Sequence, residues 1–374
     1  MIHRVRASIK LSALTNNLRV ARSHARNRKI MAVIKANAYG HGLLSVAEAL
    51  QSADAYAVTD VDEADLLSAA GTDKPIVILQ GIIERSDIAR IAIAGYQLVI
   101  HSVEQLGWLE QELSKLNKPQ ALTLWLKVNT GMSRLGLMPD ECLNARQFLQ
   151  AKPWCQEIVL MTHLANANLL DSNLNQHQVD AFVAASMQMP DLAKSIAASS
   201  GLLAGFGADT DWVRPGIMLY GSSPFPYSDE KLRRESFGLQ AVMTLQSKII
   251  AIQNCQAGDS VGYCSQFICP QAMRIGIVCI GYADGYPSNA PNGTPVLING
   301  KRCHTVGRVS MDMIAVDLSA VPEASIDTIV TLWGDELSVD EIAEHTGILS
   351  YNLCCSVAAR VERVTDSQNE SSRG

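Results

Sequence analysis

One lysine stands out in the segment Ala32–Gly42, because it directly follows an apolar run. The run Ile30–Ile34 predicts a buried strand, which places Lys35 at the carboxyl end of that strand. A lysine in a cramped, apolar setting has a lowered pKa and can act as a Schiff-base nucleophile. The small residues that follow leave room for a bulky cofactor, and Tyr39 offers a hydroxyl to a phosphate. A lysine merely exposed at the edge of a barrel is the alternative interpretation.

A second motif, residues 127–136, carries Lys127 and Arg134 on one glycine-containing loop. Arg134 is suited to donate to an anionic oxygen. Two neighbouring cations are unfavourable unless an anion lies between them, and a carbamylated Lys127 would supply that anion. A cationic loop held by surface acids is the alternative.

A third motif, residues 211–221, places Arg214 inside an apolar run, where a charge is costly without a partner. An arginine that faces a pyridine nitrogen keeps that nitrogen unprotonated and weakens the electron sink, which suits simple proton transfer. A buried ion pair with a carboxylate is the alternative. Ser199 and the backbone N–H groups of Gly216 and Ile217 could form a phosphate cradle. His163 could stack on a ring or bond to Arg214, although a lone histidine is more often structural.

Composition restricts the class of protein. The 374 residues are 48% hydrophobic and 18% charged, with a net charge of −6, which predicts large apolar cores. No block of basic residues favours nucleic acid as a partner, and no apolar run reaches the length of a membrane span. Nine scattered cysteines without a paired CxxC motif indicate a reduced, cytoplasmic protein.

Eight apolar runs alternate with amphipathic stretches over the first 220 residues, and they predict an N-terminal (β/α)₈ TIM-like barrel. The runs are Ile30–Ile34, Ala55–Val58, Ile76–Leu79, Leu98–Ile100, Leu122–Val128, Ile158–Met161, Ser195–Ala198 and Trp212–Leu219. A doubly wound open sheet would need a glycine-rich phosphate loop after its first strand, and the chain has none there. The candidate polar residues follow or end these runs, so a barrel would bring them to one mouth.

Past a charged linker at residues 229–235, short β-rich runs predict a C-terminal mostly-β domain. We expect a barrel at residues 1–232, with the first few residues able to pair with the second domain at 233–374. The polar tail 366–374 is expected to be disordered. In this second part, Tyr263, Tyr282 and Asp284 are ordinary strand and turn residues on physical grounds alone.

Taken together, the motifs AVIKANAYGHG, KVNTGMSRLG, SIAAS, DWVRPGIMLYG, VGYC, GYADGYP and GRVSMDM resemble, in order, those of alanine racemases that use pyridoxal 5'-phosphate (PLP). The resemblance implies a homodimer with shared active sites that interconverts L-alanine and D-alanine without a metal. Lys35 would bind the cofactor covalently and act as one base, and Tyr263 of the partner subunit would be the opposing base.

The remaining roles follow from the same resemblance. Arg134 would contact the phenolic oxygen of the cofactor, braced by Lys127. Arg214 would face the pyridine nitrogen, with His163 supporting it. The phosphate would be held by Tyr39, Ser199, Gly216, Ile217 and Tyr351. Met311 and Arg134 would receive the substrate carboxylate, and Tyr282 would narrow the entrance.

Departures from the family pattern are modest. Ala198 stands where some relatives have asparagine, and the segment around Tyr351 departs from its usual form. A racemase of serine or another small amino acid would share every motif. A PLP-dependent decarboxylase usually places an acid where this chain has Arg214. A non-catalytic PLP-binding barrel would lack the second domain.

Overall fold

The computed structural model describes residues 4–117 and 120–366. This part of the chain divides into two compact units. Residues 18–38 and 46–219 form the first, called the barrel unit. Residues 4–17, 39–45 and 220–366 form the second, called the β unit. Most of the tail predicted to be disordered lies outside the described residues.

The barrel unit contains, among the described residues, eight parallel strands that close into a barrel. Strands are numbered along the chain, and the first, β1 (Arg6–Ile9), belongs to the β unit. The barrel strands are β2 (Lys29–Val33), β3 (Ala55–Val58), β4 (Ile76–Ile78), β5 (Gln97–Ile100), β6 (Leu122–Lys127), β7 (Cys155–Met161), β8 (Ala193–Ala198) and β9 (Trp212–Arg214). The barrel closes where Ile30 of β2 pairs with Val213 of β9. The predicted barrel is therefore confirmed.

Continuous burial explains why these runs form parallel strands. All four residues of β3 and all three of β4 are buried, as expected for strands covered on both faces. The last predicted run was too long, because β9 ends at Arg214 and residues Ile217–Tyr220 form a 3₁₀ helix. Pro215 has no N–H to continue the strand ladder.

Helices follow most of the strands. The bounds along the first part of the chain are Leu11–Ala25, Leu43–Ala49, Val61–Ala69, Asp87–Ala94, Val103–Leu113, Pro139–Gln150, Asn173–Met187 and Ser199–Ala204. In the helix Val61–Ala69, the buried residues Val61, Ala64 and Leu67 recur every third position and form one apolar stripe.

The β unit is built on one large sheet. Its strands are β1 with β10 (Met243–Cys255), β13 (Met273–Val278), β14 (Pro295–Ile298), β15 (Lys301–Val306), β16 (Ile314–Asp317), β17 (Ile329–Trp333) and β18 (Glu362–Thr365), and a separate hairpin joins β11 (Ser260–Val261) to β12 (Phe267–Ile268). The strand order in the large sheet is β13-β16-β15-β14-β17-β10-β1-β18. Strand β1 pairs antiparallel with β10 and parallel with β18.

The mostly-β character of this unit is confirmed, but two helices, Val339–Thr346 and Ser350–Cys355, were not expected from the β-rich sequence. Ser338 explains where the first begins, because its side chain accepts the Asp340 N–H at 3.1 Å as an N-cap. Within residues 4–117 and 120–366, no helix is both long enough and apolar enough to span a bilayer.

Candidate active site

The barrel brings five of the predicted site residues to one rim, formed by the carboxyl ends of its strands. Each of the five ends a barrel strand or follows its last residue by one or two positions. They are Lys35, Lys127, His163, Ser199 and Arg214. In parallel barrels this rim carries the functional groups. The convergence expected from the sequence is present in the barrel unit.

The backbone after Lys35 forms a left-handed turn. Ala36, Asn37 and Ala38 have φ of 55°, 52° and 53°, and Tyr39 continues the run with φ 51°. Such values are rare for residues other than glycine and are associated with functional sites. The Asn37 N–H donates to a carboxylate oxygen of Glu63 at 2.9 Å. No glycine among residues 36–39 indicated this conformation in advance.

Lys127 is buried at the rim among other cations, with 8% of its surface exposed. Burial, followed by the positive charges of Arg214, Arg134 and Lys35, lowers its pKa from 10.5 to about 8. Burial and the same four cations lower the pKa of His163 well below its usual value, which leaves this imidazole neutral. In the described part of the chain, no carboxylate lies within 4.0 Å of the Lys127 or Arg214 nitrogens. Among the described residues, Lys127 and Arg214 therefore carry charge that no nearby carboxylate pairs, and an added anion would balance it.

Arg214 is buried and is held by neutral acceptors instead of the carboxylate that the alternative interpretation required. Its two terminal nitrogens donate to Ser195 Oγ, to the Thr162 carbonyl at 2.6 Å and to the Ile196 carbonyl at 2.9 Å. Burial lowers its pKa to about 10, so it stays charged at neutral pH. Among the described residues its Nε donates to no acceptor.

Ser199 joins the ends of β8 and β9. Its buried Oγ accepts the Gly216 N–H at 2.8 Å and the Met218 N–H at 3.3 Å. The sequence predicted that Ser199 and the N–H groups of Gly216 and Ile217 together form a phosphate cradle, which stays a prediction. The structure brings Ser199 to Gly216, and it is Met218 that makes the second bond. A hydroxyl that already accepts two bonds still has its own proton to donate.

The loop after β6 is shaped by Asn129, whose Oδ1 accepts the N–H groups of Gly131 and Ser133, both at 3.1 Å. Ser133 has φ 54°, and Arg134 follows it on an exposed part of the loop. In the described part of the chain, no carboxylate lies within 4.0 Å of the Arg134 guanidinium. The loop thus presents a charged group that is open to an incoming anion.

Gln178 is a site-supporting residue that sequence reasoning missed. It is fully buried on the helix Asn173–Met187, and its Nε2 donates to Thr130 Oγ1 at 3.2 Å and to the His163 carbonyl at 3.1 Å. It therefore ties the loop after β6 to the loop after β7. The sequence did contain one indication of this role. Gln178 lies on the same helix face as the buried Phe182, and a buried glutamine needs hydrogen-bond partners.

The β unit holds the other predicted residues. Tyr39 lies between two rings, with centroids 4.7 Å from Tyr220 and 6.0 Å from Tyr351. Burial raises the pKa of Tyr39 and, together with nearby Asp340, that of Tyr351, so both phenols keep their protons as hydrogen-bond donors. Tyr220 was not singled out in the sequence, although it lies within the third motif.

Tyr282 and Met311 lie on adjoining backbone segments. The Tyr282 N–H donates to the Ser310 carbonyl at 3.1 Å, and the Ala283 N–H donates to the Met311 carbonyl at 2.9 Å. Both side chains are exposed. Tyr263, in the 3₁₀ turn Tyr263–Ser265, is more exposed still, at 68%.

A buried carboxylate anchors these segments. The Asp284 side chain is fully buried and accepts hydrogen bonds from Arg4, from Arg360 at 2.8 Å and from the Gly281 N–H at 3.0 Å. Both arginines also bond to Asp312, the residue after Met311, at 3.1 and 2.6 Å. This network fixes the two backbone segments that carry Tyr282 and Met311.

A search for metal sites gives no candidate. No group of three or more His, Cys, Asp or Glu residues within residues 4–117 and 120–366 is arranged to hold a metal ion.

The barrel, the lysine-centred cation cluster at its rim and the separate mostly-β unit define an enzyme of the barrel-plus-β-domain class. Two family models match the chain: "Alanine racemase, N-terminal domain" over residues 9–224 and "Alanine racemase, C-terminal domain" over residues 242–365. The boundary predicted at residue 232 falls between the two matches.

Known proteins agree with these matches over nearly the whole chain. An alanine racemase of Nitrosomonas eutropha is 45% identical over 371 residues, which is 98% of this chain and 99% of the relative. The crystal structure of the biosynthetic alanine racemase of Pseudomonas aeruginosa has a TM-score of 0.91 at 39% identity, covering 98% of this chain and 100% of that one. An alanine racemase of Bartonella henselae "with covalently bound pyridoxal phosphate" has a TM-score of 0.87 at 27% identity, covering 97% and 100%. The chain belongs to the alanine racemase family of isomerases.

Proposed function

We propose that this protein interconverts L-alanine and D-alanine with PLP, using Lys35 and Tyr263 of the partner subunit as two bases. The observation that carries the proposal is the cluster of cations around Lys127 at the barrel rim. Among the described residues, its members Lys127, Arg134 and Arg214 have no carboxylate within 4.0 Å. Such a cluster suits the carboxylate of a small amino acid together with an anionic cofactor. The Bartonella relative is described with PLP bound, which supports the same cofactor here.

The residues present fit PLP. Lys35 would offer the amine, and Arg214 would offer its unengaged Nε and a permanent charge, which disfavours protonation of a ring nitrogen placed beside it. Ser199 and the two protonated phenols are donors suited to a phosphate. The full proposed set is Lys35, Tyr39, Arg134, His163, Ser199, Arg214, Gly216, Ile217 and Tyr351.

When bound, the cofactor supplies an aldehyde for Lys35 and a π-system that accepts the electron pair of the α-carbon. Racemisation then needs a proton-transfer group on each face of that carbon: the group on one face accepts the proton, and the group on the opposite face donates one. Lys35 serves one face. Tyr263 of the partner subunit serves the other, while Arg134 and the Met311 backbone hold the substrate carboxylate and Tyr282 restricts entry.

The proposed dimer follows from exposure. Tyr263 and Met311 are 68% and 54% exposed, which is unusual for residues assigned to a closed site. A two-fold dimer that covers them would complete each site with residues of the other chain. We further propose a cytoplasmic location, because the nine scattered cysteines fit a reducing compartment.

A complementation experiment tests the shared site. Inactive Lys35→Ala and Tyr263→Phe homodimers are mixed, dissociated and reassociated. If sites are shared, each heterodimer has one intact site, and random mixing restores about a quarter of wild-type activity. If heterodimers form and no activity returns, the shared-site proposal is rejected.

Lys127 is proposed to be carbamylated. Carbon dioxide reacts with a neutral amine, and a pKa of about 8 leaves roughly a tenth of Lys127 neutral at pH 7. The carbamate would place a negative charge between Arg134 and the other cations. Mass spectrometry of the intact protein in bicarbonate, with Lys127→Met as the control, tests the modification.

The physiological role is proposed to be D-alanine supply for peptidoglycan or alanine catabolism. A racemisation assay over alanine, serine and other small L-amino acids, read with a D-amino-acid oxidase, tests the substrate class. Turnover of serine with no turnover of alanine would overturn the proposed substrate.

A further inference from the structure

Glu63 reaches from its own helix to the turn that follows Lys35. It is the third residue of the helix Val61–Ala69, and its N–H donates to the side chain of the N-cap Asp60 at 3.1 Å. A glutamate in this position usually returns a bond to the backbone of its own cap. Here one carboxylate oxygen accepts the Thr59 N–H at 3.0 Å, and the other accepts the Asn37 N–H at 2.9 Å.

The segment that Glu63 binds is conformationally unfavourable. Residues 36–39 lie in the left-handed region with φ between 51° and 55°, and none of them is glycine. A run of this kind persists only where the surrounding structure fixes it. The Asn37 N–H lies in the middle of the run, so its bond to Glu63 acts where the backbone strain is concentrated.

Thr59, whose N–H donates to Glu63, lies at the end of a barrel strand. It follows β3 directly, and β3 pairs with β2, the strand that leads to Lys35. The two oxygens of one carboxylate therefore connect the end of β3 to the turn that follows β2. A carboxylate is suited to this bridge, because both of its oxygens accept and bonds to a charged acceptor are stronger than neutral ones.

We propose that Glu63 is a positioning residue for Lys35. Its carboxylate holds the left-handed turn, and the turn sets the direction of the Lys35 side chain for cofactor attachment. The inference rests on the proposed role of Lys35 as the lysine that binds the cofactor.

The test compares Glu63→Ala, which removes both bonds, with Glu63→Gln, which keeps the length but has one accepting oxygen. In the purified full-length enzyme, we expect Glu63→Ala to release PLP roughly tenfold faster, which corresponds to the loss of about one strong hydrogen bond. Glu63→Gln should lie between this variant and the wild type. Hydrogen exchange at residues 36–39 should speed up in the same order, and kcat should fall more than KM rises.

Asp60→Ala is the matched control, because it weakens the same helix end and removes no bond to the turn. We expect it to lower the melting temperature while PLP release and exchange at residues 36–39 stay near wild type. The proposal is overturned if Asp60→Ala speeds release as much as Glu63→Ala, or if Glu63→Ala and Glu63→Gln both behave as wild type. Failure of the proposed function looks different: borohydride would then attach no cofactor to Lys35 in the wild-type protein.

Discussion

Lys127 offers a quantitative test of the charge arrangement at the barrel rim. Its pKa falls from 10.5 to about 8 through burial and three neighbouring cations. At ~1.4 kcal/mol per pH unit, this difference makes the charged amine destabilising by about 3 kcal/mol. Replacing it by methionine, which has a similar length and no charge, should raise the free energy of unfolding of the cofactor-free protein by up to that amount at neutral pH. Exposed Lys115, paired with Glu112, is the control, and Lys115→Met should change little.

The sign of the pH dependence follows from proton binding. The folded protein releases the Lys127 proton near pH 8, whereas the unfolded chain holds it until about pH 10.5. Between these values the unfolded state binds more protons, so the contribution of Lys127 to the free energy of unfolding becomes more favourable as pH rises. The gain in unfolding free energy from Lys127→Met is thus largest below pH 8 and disappears as the pH approaches 10.5.

Urea unfolding followed by circular dichroism measures this difference between about pH 7 and about pH 10, in buffer freed of carbon dioxide. Added bicarbonate should stabilise the wild type and leave Lys127→Met unchanged, because a carbamate would neutralise the cluster. If Lys127→Met gives no gain in unfolding free energy, or a gain that does not change with pH, Lys127 is not a buried amine destabilised by neighbouring positive charges.

Three further changes test other parts of the structure, all read as urea unfolding free energies. Gly40→Ala should destabilise by about 3 kcal/mol or more, because Gly40 has φ +80° and a Cβ there would overlap the Cys354 carbonyl oxygen. Gly42→Ala is the control: Gly42 has φ +102° but open space around it, so the loss should be only about 1 kcal/mol. Equal losses in the two variants would contradict the overlap. Asp284→Asn should cost about 3 kcal/mol, because two arginines lose their buried carboxylate, and a loss below about 1 kcal/mol would show that they do not depend on it. Ser199→Ala should cost about 2 kcal/mol by leaving two buried N–H groups without an acceptor, and wild-type stability would contradict that assignment.

The barrel was predictable because its strands are short, continuous apolar runs separated by turn and helix signals. The run Ala55–Val58 matches β3 at both ends. The positions of Lys35 and Lys127 at strand ends followed directly, since a charged residue that interrupts an apolar run marks where the buried strand ends. The third motif was harder, because hydrophobicity continues past Arg214 although Pro215 ends the ladder.

Other features depend on contacts that a linear pattern does not contain. Residues 36–38 have no glycine to indicate positive φ, so the left-handed turn was invisible in the sequence. The bonds of Glu63 and Gln178 join segments 26 and 48 residues apart. Such links arise from the closure of the barrel, and a single sequence records only that a polar residue lies near an apolar stripe.

Strand β1 has a consequence for the order of folding. It precedes the barrel in the chain, yet both of its neighbours follow the barrel: Arg6 pairs with Gln246 of β10 and with Glu362 of β18. During translation the barrel unit is synthesised before β10 and β18, so the barrel can fold first. Until β10 and β18 have been synthesised, β1 has neither of its strand partners. Contacts of such high sequence separation are slow to form. The late docking of β1 between β10 and β18 should therefore be a slow step, and the unpaired edge of β10 before that moment is where chaperones or wrong pairings would act.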